Sequence, residues 1–196
     1  MYRGKSIALV IPAYNEERLI QPTLKAVPPF VDKIYVVDDH SQDGMVKVVT
    51  ACSQTDSRIE LIRHGTNQGP GQAIITGYKV CLKEGWDLVA VCGGDNQMPL
   101  DELPHLLDPL VDGQADYVKG NRFMEEGNAF TDMPRIRLLG NTLISLLTKI
   151  SSGYYSIFDV VDGYTAITKK AIAAINWDKA WKGYGYPMDF LMRLNV

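Results

Sequence analysis

The chain has 196 residues, 46% of them apolar, enough to bury one sizeable core and too few for two domains of ordinary size. A formal charge of −3 and a pI near 5.6 provide no broad basic field, which argues against a duplex nucleic-acid partner. Cys52, Cys81 and Cys92 are spaced for neither a zinc site nor a redox pair and read as reduced, mostly buried thiols of a cytoplasmic protein, with no signal peptide and no membrane-length apolar run in view.

Ser6 to Ile11 is an almost wholly apolar run ended by Pro12, the pattern of a strand buried on both faces. Helical spacing follows over Glu16 to Val27, with Asn15 placed to cap it. A second strand, Ile34 to Val37, leads into the acidic turn Asp38 to Ser41. Ile59 to Arg63 is a third strand, and Gln72 to Lys83 is a helix stopped by Gly85. Leu88 to Cys92 is again a continuous apolar strand, and Tyr117 to Lys119 a fifth. Strands alternating with helices predict a mostly parallel α/β sheet in a single domain. Ligands of such sheets bind beyond the carboxyl ends of the strands, and the polar clusters Tyr14–Glu17, Asp38–Ser41, Asn67–Gly71 and Gly93–Gln97 mostly follow predicted strands. Past Met124, Ile136, Leu139, Leu143, Leu146, Leu147 and Ile150 recur at spacings of three and four, which predicts an amphipathic helix over 135–150 that packs on the core in preference to lying on a membrane. The helical pattern at Asn195 and Val196 is expected to continue beyond the sequence.

Five groups of residues carry candidate chemistry. Ile11 to Glu16 (IPAYNE) is a strand-to-helix turn that offers free amides to an anion, with Tyr14 able to lie against a base; read alone, it is also an ordinary capped helix start. Val36 to Gly44 (VVDDHSQDG) puts carboxylates at a strand end, suited to a ribose or base N–H or, more plainly, to an Asx turn. Asn67 to Ala73 (NQGPGQA) lets the backbone approach a ligand where a helix begins. Gly93 to Gln97 (GGDNQ) brings Asp95 and Gln97 to one side of an extended segment, where two oxygens can meet a divalent cation; in isolation it is a surface turn. The downstream group comprises Gly120 to Phe123 (GNRF), Phe158 to Tyr164 (FDVVDGY) and Tyr184 to Phe190 (YGYPMDF).

Taken in order from Ile7 to Phe190, these segments resemble family 2 glycosyltransferases, and within them the dolichol-phosphate mannosyltransferase-like and related polyprenyl-phosphate sugar transferases. The resemblance implies a GT-A type, Rossmann-like sheet flanked by helices, with a nucleotide part over about 1–100 and an acceptor part over about 101–196. It implies an inverting transfer of a hexose from a UDP- or GDP-sugar to a lipid-linked phosphate, assisted by Mg²⁺ or Mn²⁺ at Asp95 and Gln97. The nucleotide sugar would then meet Pro12, Ala13, Tyr14, Asn15, Glu16, Asp38, Asp39, Gly69, Gly71, Gln72, Gly94 and Asp95. Arg122, Arg135, Arg137, Asp159 and Gly163 would serve the acceptor, and Asp95, Arg122 and Asp189 the reaction. Asp189 is the natural general base if the acceptor is a sugar hydroxyl, whereas a phosphate monoester, with a second pKa of about 6, is already anionic and asks only for orientation. Two departures stand out: His40 replaces the usual Gly and asks for a less strained backbone, and Gly93 replaces the first carboxylate of the metal motif. Gly93 keeps open a catalytically weak nucleotide-sugar binder, and transfer to a saccharide hydroxyl stays open as well. A nucleotidyltransferase would begin with a Gly-rich, Arg-containing loop, which Pro12 to Glu17 is not, and a bare interaction module fits the polar clusters least. A lipid acceptor implies work at the cytoplasmic face of a membrane; peripheral membrane association and a homodimer are the remaining partner expectations.

Overall fold

The computed structural model describes residues 1–120 and 162–194. β1 (Ile7–Ala13) lies inside the sheet, and its alternating side chains feed two cores: Ile7, Leu9 and Ile11 enter one cluster, Ala8 and Val10 the other. A strand covered on both faces can carry apolar residues without interruption, and the sequence pattern follows from that. β2 (Lys33–Asp38) and β4 (Leu88–Val91) flank β1 in parallel, and β3 (Ile59–Arg63) extends the sheet beyond β2. On the other side β6 (Thr165–Thr168) runs antiparallel between β4 and β5 (Tyr117–Lys119), giving the order β3-β2-β1-β4-β6-β5. The carboxyl ends of β1 to β5 and the amino end of β6 therefore share one rim.

Helices cover both faces. Ile20 and Leu24 of α1 (Ile20–Ala26), Met45 and Val49 of α2 (Met45–Thr55) and four leucines of α4 (Leu103–Val111) pack on the Ile7–Leu9–Ile11 side. α3 (Pro70–Glu84), α5 (Lys169–Ala174) and α6 (Tyr186–Leu194) pack on the other through Ile74, Tyr78, Ala171 and Phe190. α3 lies so close to β1 that a Cβ on Gly77 would stand 2.3 Å from Cγ1 of Val10. It opens on Gly69 at φ 93° with Pro70 in its first turn and closes on Gly85 at φ 89°.

Several expectations change in detail. α1 begins at Ile20, and Asn15 does not cap it. Asn15 sits instead at φ 58°, donates its amide to the Ser41 hydroxyl (2.9 Å) and accepts the Gln42 N–H on its side chain (2.8 Å), tying the end of β1 to the turn after β2. His40 keeps a left-handed backbone at φ 69°, so the exchange from Gly leaves the strain in place where a relaxed turn was expected. α2, α4 and β6 come in addition to the expected elements: Leu103, Leu106, Leu107 and Leu110 of α4 recur at helical spacing but stand among Pro104 and Pro109, and β6 is four residues long. The cysteines are unpaired, with Cys81 and Cys92 buried and Cys52 half-buried, and burial pushes both buried thiols far above the ordinary range. The helix expected over 135–150 lies outside the described residues.

Candidate active site

β1 connects to β2 on one side and pairs with β4 on the other, so the direction of winding reverses between β1 and β4. Parallel sheets open a crevice at such a reversal, beyond the strand ends, because the flanking connections leave in opposite directions. The residues beyond β1 (Tyr14 to Glu17) and beyond β4 (Gly93 to Gln97) border this one, and those beyond β2 and β3 lie alongside.

Beyond β2, two buried carboxylates organise the rim. Asp38 has no exposed surface; Oδ1 accepts the Ser41 N–H at 2.9 Å, and Oδ2 accepts from Nε of the half-exposed Arg63 at 3.1 Å. Asp39 is tied to three places at once: Oδ1 receives His64 Nδ1 (2.8 Å) and the Gln68 N–H (2.9 Å), while Oδ2 receives the Gly69 N–H (2.7 Å). A carboxylate only accepts, so the Nδ1 proton of His64 points to Asp39, and Nε2 on the other side of the ring is hydrogen-bonded with the Thr76 hydroxyl at 2.9 Å. Asp39, His64 and Thr76 thus join the ends of β2 and β3 to the glycine loop and to α3. The chemistry of Asp39 is spent on holding Gln68 and Gly69 in place.

Beyond β1 and β4 the field is acidic. Burial, then the charges of Asp95 and Asp43, push the Glu16 carboxyl above its usual range. Glu17 accepts the Gly44 N–H and donates its own amide to Asp43, and the side chains around it border an open depression of about 340 Å³ that includes Asn15, Arg18 and Leu19. Gly94 is packed against Ala13, Ile20 and Glu16, which brings its loop onto the end of β1. The segment that follows is not extended: Asn96 has φ 56°, and Asp95 Oδ1 accepts the Gln97 N–H at 3.3 Å in an Asx turn. The expectation that Asp95 and Gln97 share one side of an extended strand therefore gives way to a tight turn. Asp95 folds back over Gly93, where a Cβ would stand 3.0 Å from its Oδ1. Among the described residues no group of three His, Cys, Asp or Glu side chains is close enough to cage a metal ion.

The segment before α6 closes the other side of the glycine loop. The Gln72 N–H donates to the Lys182 carbonyl (3.1 Å), and Cβ atoms on Gly69 and Gly71 would each stand 2.6 Å from a carbonyl oxygen, of Lys182 and of Trp181 respectively. Tyr186, the first residue of α6, reaches to the turn before β6: its hydroxyl would meet a Cβ on Gly163 at 2.8 Å, and burial pushes its phenol well above the usual range. Asp162 turns the chain into β6, accepting the Tyr164 N–H on its carboxylate and the Lys119 ammonium on its carbonyl. Asp189, in the first turn of α6, accepts the Trp181 N–H at 2.8 Å and is gripped by Nε (2.7 Å) and Nη2 (3.1 Å) of Arg193.

A continuous series of contacts thus runs from Asn15 and Glu16 through Gly94, and from Ser41 and Asp39 through Gly69 and Gly71 to Trp181, Tyr186 and Gly163. Pro12 and Ala13 belong to β1 opposite Val37 and Asp38, and Tyr14 beyond them is 43% exposed. Arg122, Arg135, Arg137 and Asp159 lie outside the described residues. His64 and Thr76 carry no expectation from the sequence, and Arg63 and Tyr186 stand there only as a strand end and as part of the YGYPMDF segment, although the strand-end rule that applies to Asp38 applies equally to Arg63 and His64.

Known proteins resemble this chain in sequence and in fold. The sequence profile of Glycosyl transferase family 2 matches residues 8–175. A UDP-N-acetylglucosamine–dolichyl-phosphate N-acetylglucosaminyltransferase of Methanococcus voltae is 29% identical over 193 residues, covering 92% of this chain and 76% of that protein. An undecaprenyl-phosphate mannosyltransferase of Micrococcus luteus is 29% identical over 190 residues, covering 95% and 76%. In structure, glucosyl-3-phosphoglycerate synthase of Mycobacterium tuberculosis, solved with Mn²⁺, UDP-glucose and phosphoglyceric acid, superposes with a TM-score of 0.73 at 21% identity, over 96% of this chain and 64% of that one. That likeness speaks for the GT-A fold.

Proposed function

The chain belongs to glycosyl transferase family 2, and from that premise we propose that it is an inverting enzyme that moves a hexose from a nucleotide diphosphate sugar to a polyprenyl or dolichyl phosphate. The observation that carries the reading is the crevice between the ends of β1 and β4, with Glu16 and Asp95 electrostatically coupled across it and Asp38 buried beside it. Relatives named for transfer to dolichyl and undecaprenyl phosphate support the acceptor class.

The donor residues divide the work. Asp38 and the turn it caps offer a polar wall for the nucleoside, and the glycine loop lets main chain come close to the diphosphate, since Gly69 and Gly71 have no side chain to intervene. Asp95 and Gln97 would hold a divalent cation, which supplies charge neutralisation for the departing diphosphate. The donor set suits this: one carboxylate oxygen and one amide oxygen are a thin protein share for Mg²⁺ or Mn²⁺, and such ions are completed by water and phosphate. The raised Glu16 carboxyl is consistent with this: burial opposes its ionisation first, Asp95 and Asp43 add to that, and positive charge there would relieve the added repulsion.

Asp189 suits an orienting role better than that of a base. Both its oxygens are already engaged, by the Arg193 fork and the Trp181 amide, so the carboxylate is held in place by the protein and not turned toward an acceptor hydroxyl. A phosphate acceptor needs no base, being already anionic near pH 7, so the reaction asks chiefly that two anions be held in line. A lipid-linked acceptor also fits a protein working against the cytoplasmic face of a bilayer; among the described residues no helix is long and apolar enough to cross one. Incubation with UDP- and GDP-hexoses, a polyprenyl phosphate and Mn²⁺ is expected to give a chloroform-soluble sugar phosphate. Donor binding without any sugar transfer would favour the weak-binder reading that Gly93 suggests.

A further inference from the structure

Two large aromatic side chains stand out of the loop that leads into α6: Trp181 is 61% exposed and Tyr184 is 87% exposed. Their backbone is not loose. The Trp181 N–H is bound to Asp189, the Lys182 carbonyl accepts from Gln72, and the carbonyls of both residues press against Gly71 and Gly69. The indole nitrogen lies along Gly183 and Gly185, 3.2 and 3.3 Å from where their Cβ atoms would be, so the ring sits on the two glycines that flank Tyr184. A pinned main chain that turns its aromatics outward exposes apolar area without recovering it by mobility, and such area marks an interaction site.

Lys179 and Lys182 border this pair, both exposed and neither ion-paired among the described residues; the nearby Asp178 is neutralised by Lys79 at 2.5 Å. The patch is therefore a small aromatic wedge with net positive charge. A stable protein partner needs on the order of 800 Å² per side, more than two rings provide. A bilayer surface needs no such area, since single Trp and Tyr rings settle at the headgroup level while lysines meet anionic lipid.

We infer that the loop of residues 180–185 is a membrane-contact surface that inserts Trp181 and Tyr184 into the interface of an anionic bilayer, with Lys179 and Lys182 on the lipid headgroups. The inference rests on the proposed lipid-phosphate acceptor for its purpose. The same loop backs Gly69 and Gly71, so seating it on lipid brings the mouth of the donor site to the surface from which that acceptor would be drawn.

The test is sedimentation of the chain with phosphatidylcholine vesicles containing phosphatidylglycerol, against vesicles of phosphatidylcholine alone. Binding is expected to the anionic vesicles, weakened roughly thirtyfold by the pair W181A and Y184A, and about fivefold by each of K179Q and K182Q. Brominated lipid is expected to quench wild-type fluorescence and to lose most of that quenching in W181F. Equal binding by wild type and the aromatic variants, quenching unchanged in W181F, or shielding of Trp181 only through concentration-dependent self-association would each overturn the inference. UDP and GDP titration on the same samples keeps the two readings apart: lipid binding without nucleotide binding defeats the enzyme proposal alone, and nucleotide binding without lipid binding defeats this one alone.

Discussion

Asp39 is predicted to be the residue whose loss propagates furthest into the donor site. In Asp39→Asn the side chain keeps its shape, and its one remaining oxygen can take the Oδ1 position, retaining His64 and the Gln68 N–H. The new NH₂ then faces the Gly69 N–H, previously bound at 2.7 Å, so one hydrogen bond becomes a donor–donor contact. Flipping the amide is worse, because it gives up two bonds to save one. With Asp39 only 3% exposed, an unsatisfied donor there costs ~1–3 kcal/mol, and Asp39→Ala, which strands all three donors, costs ~3–5 kcal/mol.

Urea unfolding of wild type and both variants measures the cost, and calorimetric titration with UDP and GDP measures the consequence. The expected order of stability is wild type, then Asn, then Ala, with nucleotide affinity falling in the same order because Gly69 opens the loop and α3 together. Asp39→Asn with an unchanged urea midpoint and unchanged nucleotide affinity would refute the reasoning, since the carboxylate would then not be holding the loop.

His40→Gly is expected to stabilise the protein by ~1 kcal/mol in thermal unfolding, since it relieves the φ of 69° that an L side chain resists, less the extra freedom given to the unfolded chain. Gly77→Ala is expected to destabilise by ~1–3 kcal/mol in urea, because its Cβ would meet Val10 at 2.3 Å between α3 and β1. Glu16→Gln tests the acidic crevice. A carboxyl raised in the folded state contributes stability below its unfolded pKa that is lost as pH rises through the folded value, so the amide is expected to gain under ~1 kcal/mol at pH 7 and nothing near pH 3, by thermal melts across that range. Gly93→Asp is expected to bind Mn²⁺ about tenfold more tightly, adding ~1.4 kcal/mol to the metal-dependent rise in stability at saturating ion; an unchanged Mn²⁺ shift would count against a cation at this turn. Asp95→Ala is expected to lose at least about a hundredfold in turnover with donor and lipid phosphate, by analogy with removal of one group that stabilises developing charge.

What the sequence revealed and what it hid have a common physical cause. β1, β2 and β4 were legible because strands covered on both faces are written as unbroken apolar runs, and the rim because polar residues directly after such runs have few other reasons to be there. β6 was hidden because TAIT is too short to show a period, and α4 because Pro104 and Pro109 read as breakers, although Pro104 sits in the first turn, where a missing N–H is harmless. The contacts made by Asn15, Asp39 and His64 were beyond any local reading. Asn15 has the composition of a cap, yet its partners are Ser41 and Gln42, on a segment more than twenty residues away. Asp39 has the composition of a ligand, yet its oxygens close on His64, Gln68 and Gly69.

That contrast bears on how the two carboxylates of one DD pair are to be assigned. Successive side chains of a strand point to opposite faces, so at the end of β2 only one of two adjacent acids can look toward the crevice while its neighbour looks toward β3 and α3. Asp39, bound to His64 and thereby to Thr76 of α3, is the neighbour that looks away. On the proposed function Asp38 is the acid left for a nucleoside; it is buried and already shares Oδ2 with Arg63, so an incoming ligand would have to replace or extend that contact. Arg63→Ala therefore separates two roles. If Arg63 serves only to hold Asp38 in place, the variant loses stability and binds nucleotide more weakly; if Arg63 competes with the ligand for Oδ2, stability still falls but affinity rises. Wild-type stability and affinity in the variant would mean that Asp38 takes no part in donor binding.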